Sequence, residues 1–422
     1  MRARANYDKV FEALKNIIKG TQYENHVFTV GGCERDRIIG GIVKDVDIVV
    51  DFPNGGIEFA HWLKENGHTE GSVVVYEHFG TAMFTLKDAP FDTIEAVQTR
   101  KECYRDMESR NPETAFGTIM EDCQRRDFTI NAIYRNISTG EVLDLNGKSF
   151  YDINQELIRT CGDPDIIFSE DPLRILRAVR FKSRLNFTIE KSTFDGMRKH
   201  LHRLSIISRE RITDEFTKML QTSDAYSAVK LLSNIKALKY VIPCDLTEEE
   251  LSDRIWVSGA IDSLDFVPKN IEIQLSRIFL MFTDKETENI LKKMRVSNDI
   301  IKEVIWYKNH SDHRAIRTMN GLRKFMYDCE KLPRFIHSLS ILSFYGVDKA
   351  ETYGFALRNV GNKMFGYKLP INGNDVMEVL NIKGGPIIKT ILDELLDYAF
   401  YDPDITKDEC IMYIKENYMD KE

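Results

Sequence analysis

Hydrophobic and polar residues follow two different patterns along the chain. In the first third, short runs of β-branched and apolar residues alternate with turns, and such runs are typical of strands. The runs lie at 26–30 (HVFTV), 46–50 (VDIVV), 72–76 (SVVVY), 81–86 (TAMFTL) and 91–97 (FDTIEAV). Because helical stretches flank them, this part is predicted to form a small α/β domain that ends near residues 146–147.

From about Ser169 onward the spacing becomes helical. Apolar residues recur every three or four positions in segments such as DPLRILRAVRFKSRL and PIIKTILDELLDYAF, and glycines are few. That period is typical of amphipathic helices. The sequence therefore predicts an α+β fold class, in which a small α/β head is followed by a part that is all-helical.

The length of the chain bounds its number of domains, and its charge pattern bears on whether it can bind nucleic acid. With 422 residues, 43% of them hydrophobic, the chain is long enough for about two to four domains. The formal net charge is -8, but basic residues crowd between positions 174 and 211 and acidic residues between 393 and 422. A local basic surface matters more for nucleic-acid binding than the net charge does, so an RNA partner is not excluded.

The sequence gives no sign of a membrane or of a secreted protein. Its apolar stretches are short and interrupted by charges, and the N-terminal segment MRARANYDKVFEALKNIIKG lacks the apolar core of a secretory signal. We therefore expect no membrane span and a cytoplasmic location. The seven cysteines are scattered singly without CxxC spacing, so neither a zinc site nor a disulfide framework is predicted.

Residues 30–50, VGGCERDRIIGGIVKDVDIVV, carry the most informative candidate chemistry. Gly31 and Gly32 stand where a strand gives way to a helix. There the backbone can approach a ligand closely, and the first amides of the helix can face an anion. Arg35 lies one helical turn further on, where it is placed to hold a phosphate.

Asp45 and Asp47 alternate on the second predicted strand, so their carboxylates project from one face. Carboxylates held side by side on a buried strand repel each other, and a divalent cation such as Mg²⁺ removes that repulsion. The alternative is a solvated strand edge, which the upstream glycines and arginine disfavour. A two-metal phosphoryl-transfer site needs a third carboxylate, for which Glu95 is preferred to Asp92.

Four motifs occur in order over about half of the chain. They are GGCERD with the downstream KDVD, RRDFTINA at 125–132, EDPLRILRAVRF at 170–181 and SRERITDEF at 208–216. With these motifs the chain resembles the class II tRNA nucleotidyltransferases (CCA-adding enzymes) and the related bacterial poly(A) polymerases. The segment LPINGNDVMEVLNIKGGPIIKTIL extends the resemblance towards the C-terminus.

The resemblance implies a division into four parts. These are a palm-like nucleotidyltransferase head at 1–150, a neck for base recognition at 151–220, a helical RNA-binding body at 221–367 and a helical tail at 368–422. It also implies that Asp45 and Asp47 bind Mg²⁺, which activates the RNA 3′ hydroxyl and supports the leaving pyrophosphate. Gly32, Arg35 and Arg126 match positions that hold the phosphates and sugar of the incoming nucleotide, and Asp127 begins the turn that shapes the ribose pocket.

Asp171 and Arg174 match the pair that reads the base. We expect Ser169 to cap the helix that carries them, so that the two residues lie three apart on one helical face. A carboxylate acceptor and a guanidinium donor can hydrogen-bond the Watson–Crick edges of cytosine and adenine. Further positions of the same stripe that match nucleotide contacts are Arg177 and Arg180.

The implied activity is template-independent addition of CCA to the 3′ end of tRNA from CTP and ATP. Poly(A) polymerases of this family tend to have a strongly basic segment after the metal strand. Residues 51–80 are instead acidic and mixed, which favours CCA addition. Partial enzymes that add only CC or only the final A stay open, although the charged segment 100–117 fits the flexible loop that CC-adding members often lack.

Two features depart from the family pattern. No His-Asp dipeptide of the phosphohydrolase domain occurs, and the glycine-rich stretch that opens the neck is reduced to DLNG at 144–147. Further basic residues are either RNA-backbone contacts or plain surface, and the sequence does not decide between these roles. They are Arg198, Lys199, Arg203, Arg209 and Arg211.

Overall fold

The computed structural model describes residues 2–77, 80–89, 93–103, 113–257, 259–310 and 316–419. The chain divides into two compact units, of which the first ends at Glu248 and the second begins at Glu249. The first unit combines a sheet with helices, and the described part of the second is helical. The α+β fold class is thus confirmed, whereas the boundaries at residues 150, 220 and 367 stay predictions.

A seven-stranded mixed sheet forms the framework of the first unit. Its strands are β1 (Val27–Val30), β2 (Val46–Val50), β3 (Thr69–Tyr76), β4 (Thr81–Leu86), β5 (Ile94–Gln98), β8 (Tyr134–Asn136) and β9 (Val142–Leu143), in the order β3-β4-β5-β2-β1-β8-β9. Only β2 and β5 run parallel; the other neighbours are antiparallel. Two smaller pairs join β6 (Arg100–Cys103) to β7 (Glu113–Phe116) and β10 (Leu157–Ile158) to β11 (Thr188–Ile189).

Helices cover the sheet and continue the chain beyond it. Those of the first unit are α1 (Arg2–Ile18), α2 (Gly32–Ile38), α3 (Gly55–Glu65), α4 (Ile119–Gln124), α5 (Ser149–Asn154), α6 (Pro164–Glu170), α7 (Leu173–Leu185), α8 (Lys191–His200), α9 (Arg209–Leu220), α10 (Ala225–Asn234) and α11 (Leu238–Val241). Helix α4 begins with a reciprocal capping box between Thr118 and Glu121, which satisfies two backbone N–H groups at its first turn.

The two faces of β2 have different surroundings. Val46, Ile48 and Val50 lie in the larger core, to which α1 and α3 also contribute. Val49 lies in a smaller core on the opposite face, together with Tyr134 of β8. Because side chains alternate along a strand, Asp47 projects from the same face as Val49. Apolar burial on both faces explains why this strand is almost continuously hydrophobic.

The second unit contains a series of helices with apolar cores between them. They are α12 (Glu248–Trp256), which begins at the boundary, α13 (Ile271–Ile278), α14 (Asp284–Lys293), α15 (Asn298–Asn309), α16 (Met319–Cys329), α17 (Leu332–Ser343), α18 (Lys349–Asn359), α19 (Gly373–Leu380), α20 (Pro386–Ala399) and α21 (Lys407–Tyr418). Helices α16 to α18 share one core, and α19 to α21 share another. None of the helices in the described ranges is long and apolar enough to cross a membrane.

Two details of the predicted helices are wrong. The part after Ser169 is not all-helical, because β11 pairs in parallel with β10 and adds a short strand. Ser169 does not cap a helix either: it lies inside α6, whose N-cap is Asp163 followed by Pro164. The helix that carries Arg174 begins only at Leu173, so Asp171 precedes it.

Helix α3 packs unusually closely against the parallel strands. A Cβ atom on Gly56 would lie 2.5 Å from the backbone oxygen of Ala96 and 2.7 Å from Cα of Val97. Both neighbours are main-chain atoms of β5, which cannot rotate away. Only a glycine therefore fits between the helix and the strand that carries Glu95.

We expect Gly56→Ala to destabilise the first unit by about 1–3 kcal/mol, because the added methyl group forces helix and strand apart. Urea unfolding followed by circular dichroism measures this change. Gly354→Ala is the matched control, since its Cβ would meet only the flexible end of the Arg358 side chain at 3.1 Å. An equal loss of stability in both variants would contradict the importance of the close approach.

Candidate active site

The predicted carboxylates converge on one face of the sheet. Asp47 of β2 is the direct register partner of Glu95 on the parallel strand β5. Side chains of register partners point to the same face, so these two carboxylates are neighbours. Asp45 lies one residue before β2 and two before Asp47, which is the same face if the extended backbone continues. Asp92, the rival of Glu95, lies outside the described residues.

The electrostatics of this face indicate crowded negative charge. Burial raises the pKa of Asp47 to about 6, the neighbouring Glu95 and Asp45 add to the rise, and Arg126 opposes it. Burial also raises the pKa of Glu95; Arg100 opposes the rise and Asp45 adds to it. The pKa values of Asp47 and Glu95 are thus raised by burial and by neighbouring carboxylates, which is the situation that a bound cation relieves.

The donor set fits a magnesium ion that is completed by its substrate. No group of three or more His, Cys, Asp or Glu side chains within the described ranges is close enough to form a ready-made metal cage. Mg²⁺ does not need one, because it is usually held by one or two carboxylates together with substrate phosphates and waters. Paired carboxylates beside a nucleotide site are therefore sufficient.

Gly31 brings the carboxylate face together with Arg126. It lies between β1 and α2 with φ at 82°, in a region that favours glycine. A Cβ atom there would lie 3.7 Å from Nη1 of Arg126 and 3.9 Å from Oδ2 of Asp47. The absence of a side chain thus keeps the space between a guanidinium and a carboxylate open. Gly32, the next residue, begins α2.

Arg35 lies deeper than its predicted role requires. Its side chain is only 1% exposed, its Nε donates a hydrogen bond to Asp36 at 2.8 Å, and its Nη1 donates to Asn131. The guanidinium also lies over the ring of Phe181, 5.2 Å from its centre. In this arrangement Arg35 joins α2 to α7 and to the turn at Asn131, and direct phosphate contact stays a prediction.

Asp127 is held in place by several donors. Its Oδ1 accepts from the backbone N–H of Phe128 at 2.8 Å and from the side chain of Asn131 at 3.1 Å. Its Oδ2 accepts from Nε of Arg177 at 2.8 Å. Burial raises the pKa of this carboxyl, but Arg177 and Asn131 lower it more strongly, to about 2. Asp127 is therefore a fixed negative charge at the start of the turn.

Asp171 and Arg174 meet protein partners in this structure. Oδ1 of Asp171 accepts from the backbone N–H of Leu173, the first residue of α7, at 3.1 Å, and its Oδ2 accepts from Arg211 at 2.9 Å. Arg174 is buried, and its Nη2 donates to the backbone oxygen of Arg125 at 2.8 Å. The two residues thus flank the start of α7, one before it and one inside it.

The other arginines of α7 are ion-paired with carboxylates of neighbouring elements. Nε of Arg180 donates to Glu215 of α9 at 2.6 Å, and Arg177 lies 3.6 Å from the same carboxylate. Arg184 donates to Asp36 of α2 at 2.8 Å. A purely solvated basic face, the simple interpretation of this helix, does not describe these contacts. The stripe instead links α7 to α9 and α2.

The structure therefore brings the predicted residues together in one region and shows contacts between them that the motifs did not predict. Asp47 and Arg126 lie on either side of the space at Gly31, and the backbone of Arg125 connects this region to Arg174. The motifs missed Asp122, a fully buried carboxylate of α4 that binds Arg126. Its spacing of four residues from Arg126, which follows the end of α4, is a signal that could have identified it.

Comparisons with known proteins agree with this arrangement. Residues 27–159 match the model of the poly A polymerase head domain. Residues 186–244 match the model of a probable RNA- and SrmB-binding site of polymerase A. The first range contains the carboxylates and Arg126, and the second begins after α7. The resemblance inferred from the motifs is confirmed by these matches.

Curated relatives and solved structures extend the similarity over almost the whole chain. The CCA-adding enzyme of Streptococcus agalactiae is 29% identical over 98% of both chains. The tRNA nucleotidyltransferase cca2 of Schizosaccharomyces pombe is 24% identical over 91% of both. The crystal structure of the Bacillus stearothermophilus CCA-adding enzyme in complex with CTP has a TM-score of 0.76 and 21% identity over 97% of both chains, which supports the fold.

The raised pKa of Asp47 predicts a pH-dependent stability. Without divalent cations, the unfolded chain releases the Asp47 proton near pH 4 and the folded chain only near pH 6. The stability associated with the neutral group is therefore present below about pH 4 and is lost as the pH rises to 6. We expect Asp47→Asn to unfold like the wild type at pH 4 and to be up to about 3 kcal/mol more stable at pH 7.

Urea unfolding in the presence of a chelator measures this difference. Asp88→Asn, a change of the same chemistry at an exposed aspartate, is the control that should alter stability little at either pH. Mg²⁺ with nucleotide should narrow the gap by stabilising the wild type. A variant that is less stable than the wild type at pH 7 would contradict the crowding of these carboxylates.

Proposed function

We propose that this chain, which belongs to the family of tRNA nucleotidyltransferases and poly(A) polymerases, adds CCA to the 3′ end of tRNA from CTP and ATP. The observation that carries the proposal is the meeting of Asp47 with Glu95, Gly31 and Arg126 on one face of the sheet. There, carboxylates that can bind a divalent cation lie near a guanidinium that can bind phosphates. The named relatives are CCA-adding enzymes and a tRNA nucleotidyltransferase.

Mg²⁺ is the cofactor that fits the carboxylates. Asp45 and Asp47 are the proposed ligands, and Glu95 is the third carboxylate of the site. When bound, the ion supplies a Lewis acid for the attacking 3′ hydroxyl of the RNA and for the leaving pyrophosphate. The hydroxyl oxygen forms a bond to the α-phosphorus of the nucleotide as the bond to the pyrophosphate breaks. The RNA is thereby one nucleotide longer.

The remaining residues bind and orient the nucleotide. Gly31 and Gly32 let the phosphates approach the backbone, and Arg126 offers its guanidinium to them. Arg35 supports these phosphate-binding residues from the protein interior, through its contacts to Asp36 and Asn131. Asp127, held between Phe128 N–H, Asn131 and Arg177, presents a fixed acceptor for the ribose. Positioning of this kind supplies much of the rate enhancement in phosphoryl transfer.

Base selection is assigned to Asp171 and Arg174. No nucleic-acid template directs the reaction, so the discrimination must come from hydrogen-bonding groups of the protein. Both side chains have protein partners, and they exchange some of these partners for the edge of the base. Arg177 and Arg180 maintain the helix through Asp127 and Glu215.

The division into head, neck, body and tail completes this proposal. The head at 1–150 carries out the chemistry and the neck at 151–220 selects the nucleotide. The body at 221–367 binds the RNA, and the helical tail follows at 368–422. A cytoplasmic location, expected from the sequence, is part of the same proposal.

Purified protein incubated with tRNA that lacks its last three nucleotides tests the function. We expect CTP alone to add two nucleotides, ATP alone to add none, and both together to add three. Long extension with ATP alone would instead identify a poly(A) polymerase, the candidate that the head-domain match favours. Asp45→Ala and Asp47→Ala should incorporate nothing while remaining folded, and normal incorporation by either would refute the metal site.

Arg174→Ala tests base selection. Removal of the guanidinium leaves the carboxylates in place, so incorporation should persist at a reduced rate. A hydrogen bond of this kind contributes about 1–3 kcal/mol, so the preference for CTP over UTP and for ATP over GTP should relax roughly ten- to hundredfold. Arg184→Ala, on the same helix, is the control. A lower rate with unchanged ratios would show that Arg174 only supports the helix.

Charge reversal of Arg198, Lys199 and Arg203 tests the RNA surface. If these residues neutralise phosphates, the triple variant should bind tRNA more weakly and with a shallower salt dependence, by about one unit of slope per lost contact. Nucleotide binding should change little. Reversal of three exposed lysines on α1, α3 and the turn after α1 is the matched control (Lys9, Lys64 and Lys19). If both triple variants weaken tRNA binding equally, the cause is the change in net charge and not a local RNA-binding surface.

A further inference from the structure

Asp122 is a buried charge that the proposed mechanism does not use. It lies on the short helix α4 and its side chain is 0% exposed. An isolated carboxylate at such a position would be strongly destabilising, so its partners must compensate for the lost hydration. These partners are two consecutive arginines, a tyrosine and a backbone amide.

The two oxygens of Asp122 serve different arginines. Oδ1 accepts from Nε of Arg125 at 3.1 Å and also from Nη2 of Arg125. Oδ2 accepts from Nε and Nη2 of Arg126 at 3.1 and 3.0 Å, and from the hydroxyl of Tyr134 at 2.7 Å. Burial raises the pKa of Asp122, but Arg126 and Arg125 lower it more strongly, to about 2. The group is therefore ionised at neutral pH.

The hydrogen bonds from Arg126 to Asp122 orient the residue that is proposed to bind the phosphates. Asp122 accepts from Nε and Nη2 of Arg126, while Nη1 faces Gly31, where a Cβ atom would lie 3.7 Å from it and 3.9 Å from Oδ2 of Asp47. A guanidinium is planar, so two hydrogen bonds along one edge determine where the third nitrogen points. Tyr134, which also accepts from Nε of Arg126 at 2.8 Å, reinforces this orientation.

The hydrogen bonds from Arg125 to Asp122 hold the residue whose backbone contacts Arg174, which is proposed to read the base. The backbone oxygen of Arg125 accepts the hydrogen bond from Nη2 of Arg174 at 2.8 Å. Arg125 is further anchored because its Nε donates to the backbone oxygen of Arg100 at 3.0 Å. The backbone N–H of Arg100 in turn donates to Oδ1 of Asp122 at 3.3 Å. Residue 125 is thus tied to Asp122 both directly and through the first residue of β6.

We propose that Asp122 is a positioning residue that sets the phosphate-binding Arg126 and the base-reading Arg174 from a single buried carboxylate. The inference rests on the proposed function, since it concerns the nucleotide of that reaction. Asp122 itself touches no substrate. It acts on two separate properties of the enzyme, the affinity for the triphosphate and the choice of base, through two adjacent residues of the chain.

Asp122→Asn tests the proposal, because an amide keeps one acceptor oxygen and cannot serve both arginines. We expect KM for CTP and ATP to rise about tenfold or more, and the preference for CTP over UTP to fall about tenfold. Arg126→Ala should raise KM without the change in preference, and Arg174→Ala should change the preference. In the double variant of Asp122→Asn with Arg126→Ala, KM should be no higher than with Arg126→Ala alone.

Asp152→Asn is the matched control for lost stability. Asp152 is equally buried and equally paired with an arginine, but its partners are Arg159 and the hydroxyl of Thr129. It should lower stability without the combined change in KM and base preference. If Asp122→Asn does not fold, Tyr134→Phe is tested in its place. The Tyr134 hydroxyl contacts Arg126 and the Asp122 oxygen that binds Arg126, so this variant should raise KM and leave the base preference unchanged.

The outcomes separate the inference from the function. Wild-type protein that extends no tRNA with CTP and ATP would refute the proposed function. An active wild type with unchanged KM and base preference in folded Asp122→Asn would refute the positioning role. That role is also refuted if Asp122→Asn and Asp152→Asn change both quantities to the same extent, or if Tyr134→Phe leaves KM unchanged.

Discussion

The parallel pairing of β2 with β5 is the constraint on which the site depends. It places Asp47 directly beside Glu95 and sets two acidic side chains against each other on a largely buried strand. Such an arrangement opposes folding, as the raised pKa of Asp47 indicates. The sheet maintains it through apolar contacts on both faces of β2 and through the close approach of α3 at Gly56. The sheet thus holds two carboxylates side by side, and a bound cation relieves their repulsion.

Around these carboxylates, nearly every described charge of the region is matched by an opposite charge. Arg35 pairs with Asp36, Arg177 with Asp127, and Arg180 with Glu215. Buried ion pairs of this kind contribute little net stability, but removal of one partner leaves an uncompensated charge. Their effect is therefore geometric. They fix the helices around the nucleotide site, and the net charge of -8 says nothing about this local order.

The sequence alone determined which chemistry is present and which fold class supports it. The apolar runs at 46–50 and 81–86 are strands at those same residues. Alternation along a strand was enough to predict that Asp45 and Asp47 share one face, because the period of a strand is a local property of the backbone; in the structure Asp45 lies just before β2. The ordered motifs gave the resemblance that the comparisons support, and the selection of Glu95 followed from its position on a neighbouring predicted strand.

Tertiary structure alone decided what each charged side chain touches. Sequence spacing placed Asp171 and Arg174 on one helix, yet Asp171 is the C-cap of α6 and α7 begins only at Leu173, after its N-cap Pro172. The motif also gave Arg35 an outward role, whereas the packing of α2 on α7 buries it. Burial and ion pairing depend on elements far apart in the chain, such as the 148 residues between Asp36 and Arg184. Local patterns specify helices and strands, but the energy of a charge depends on every group that folding brings near it.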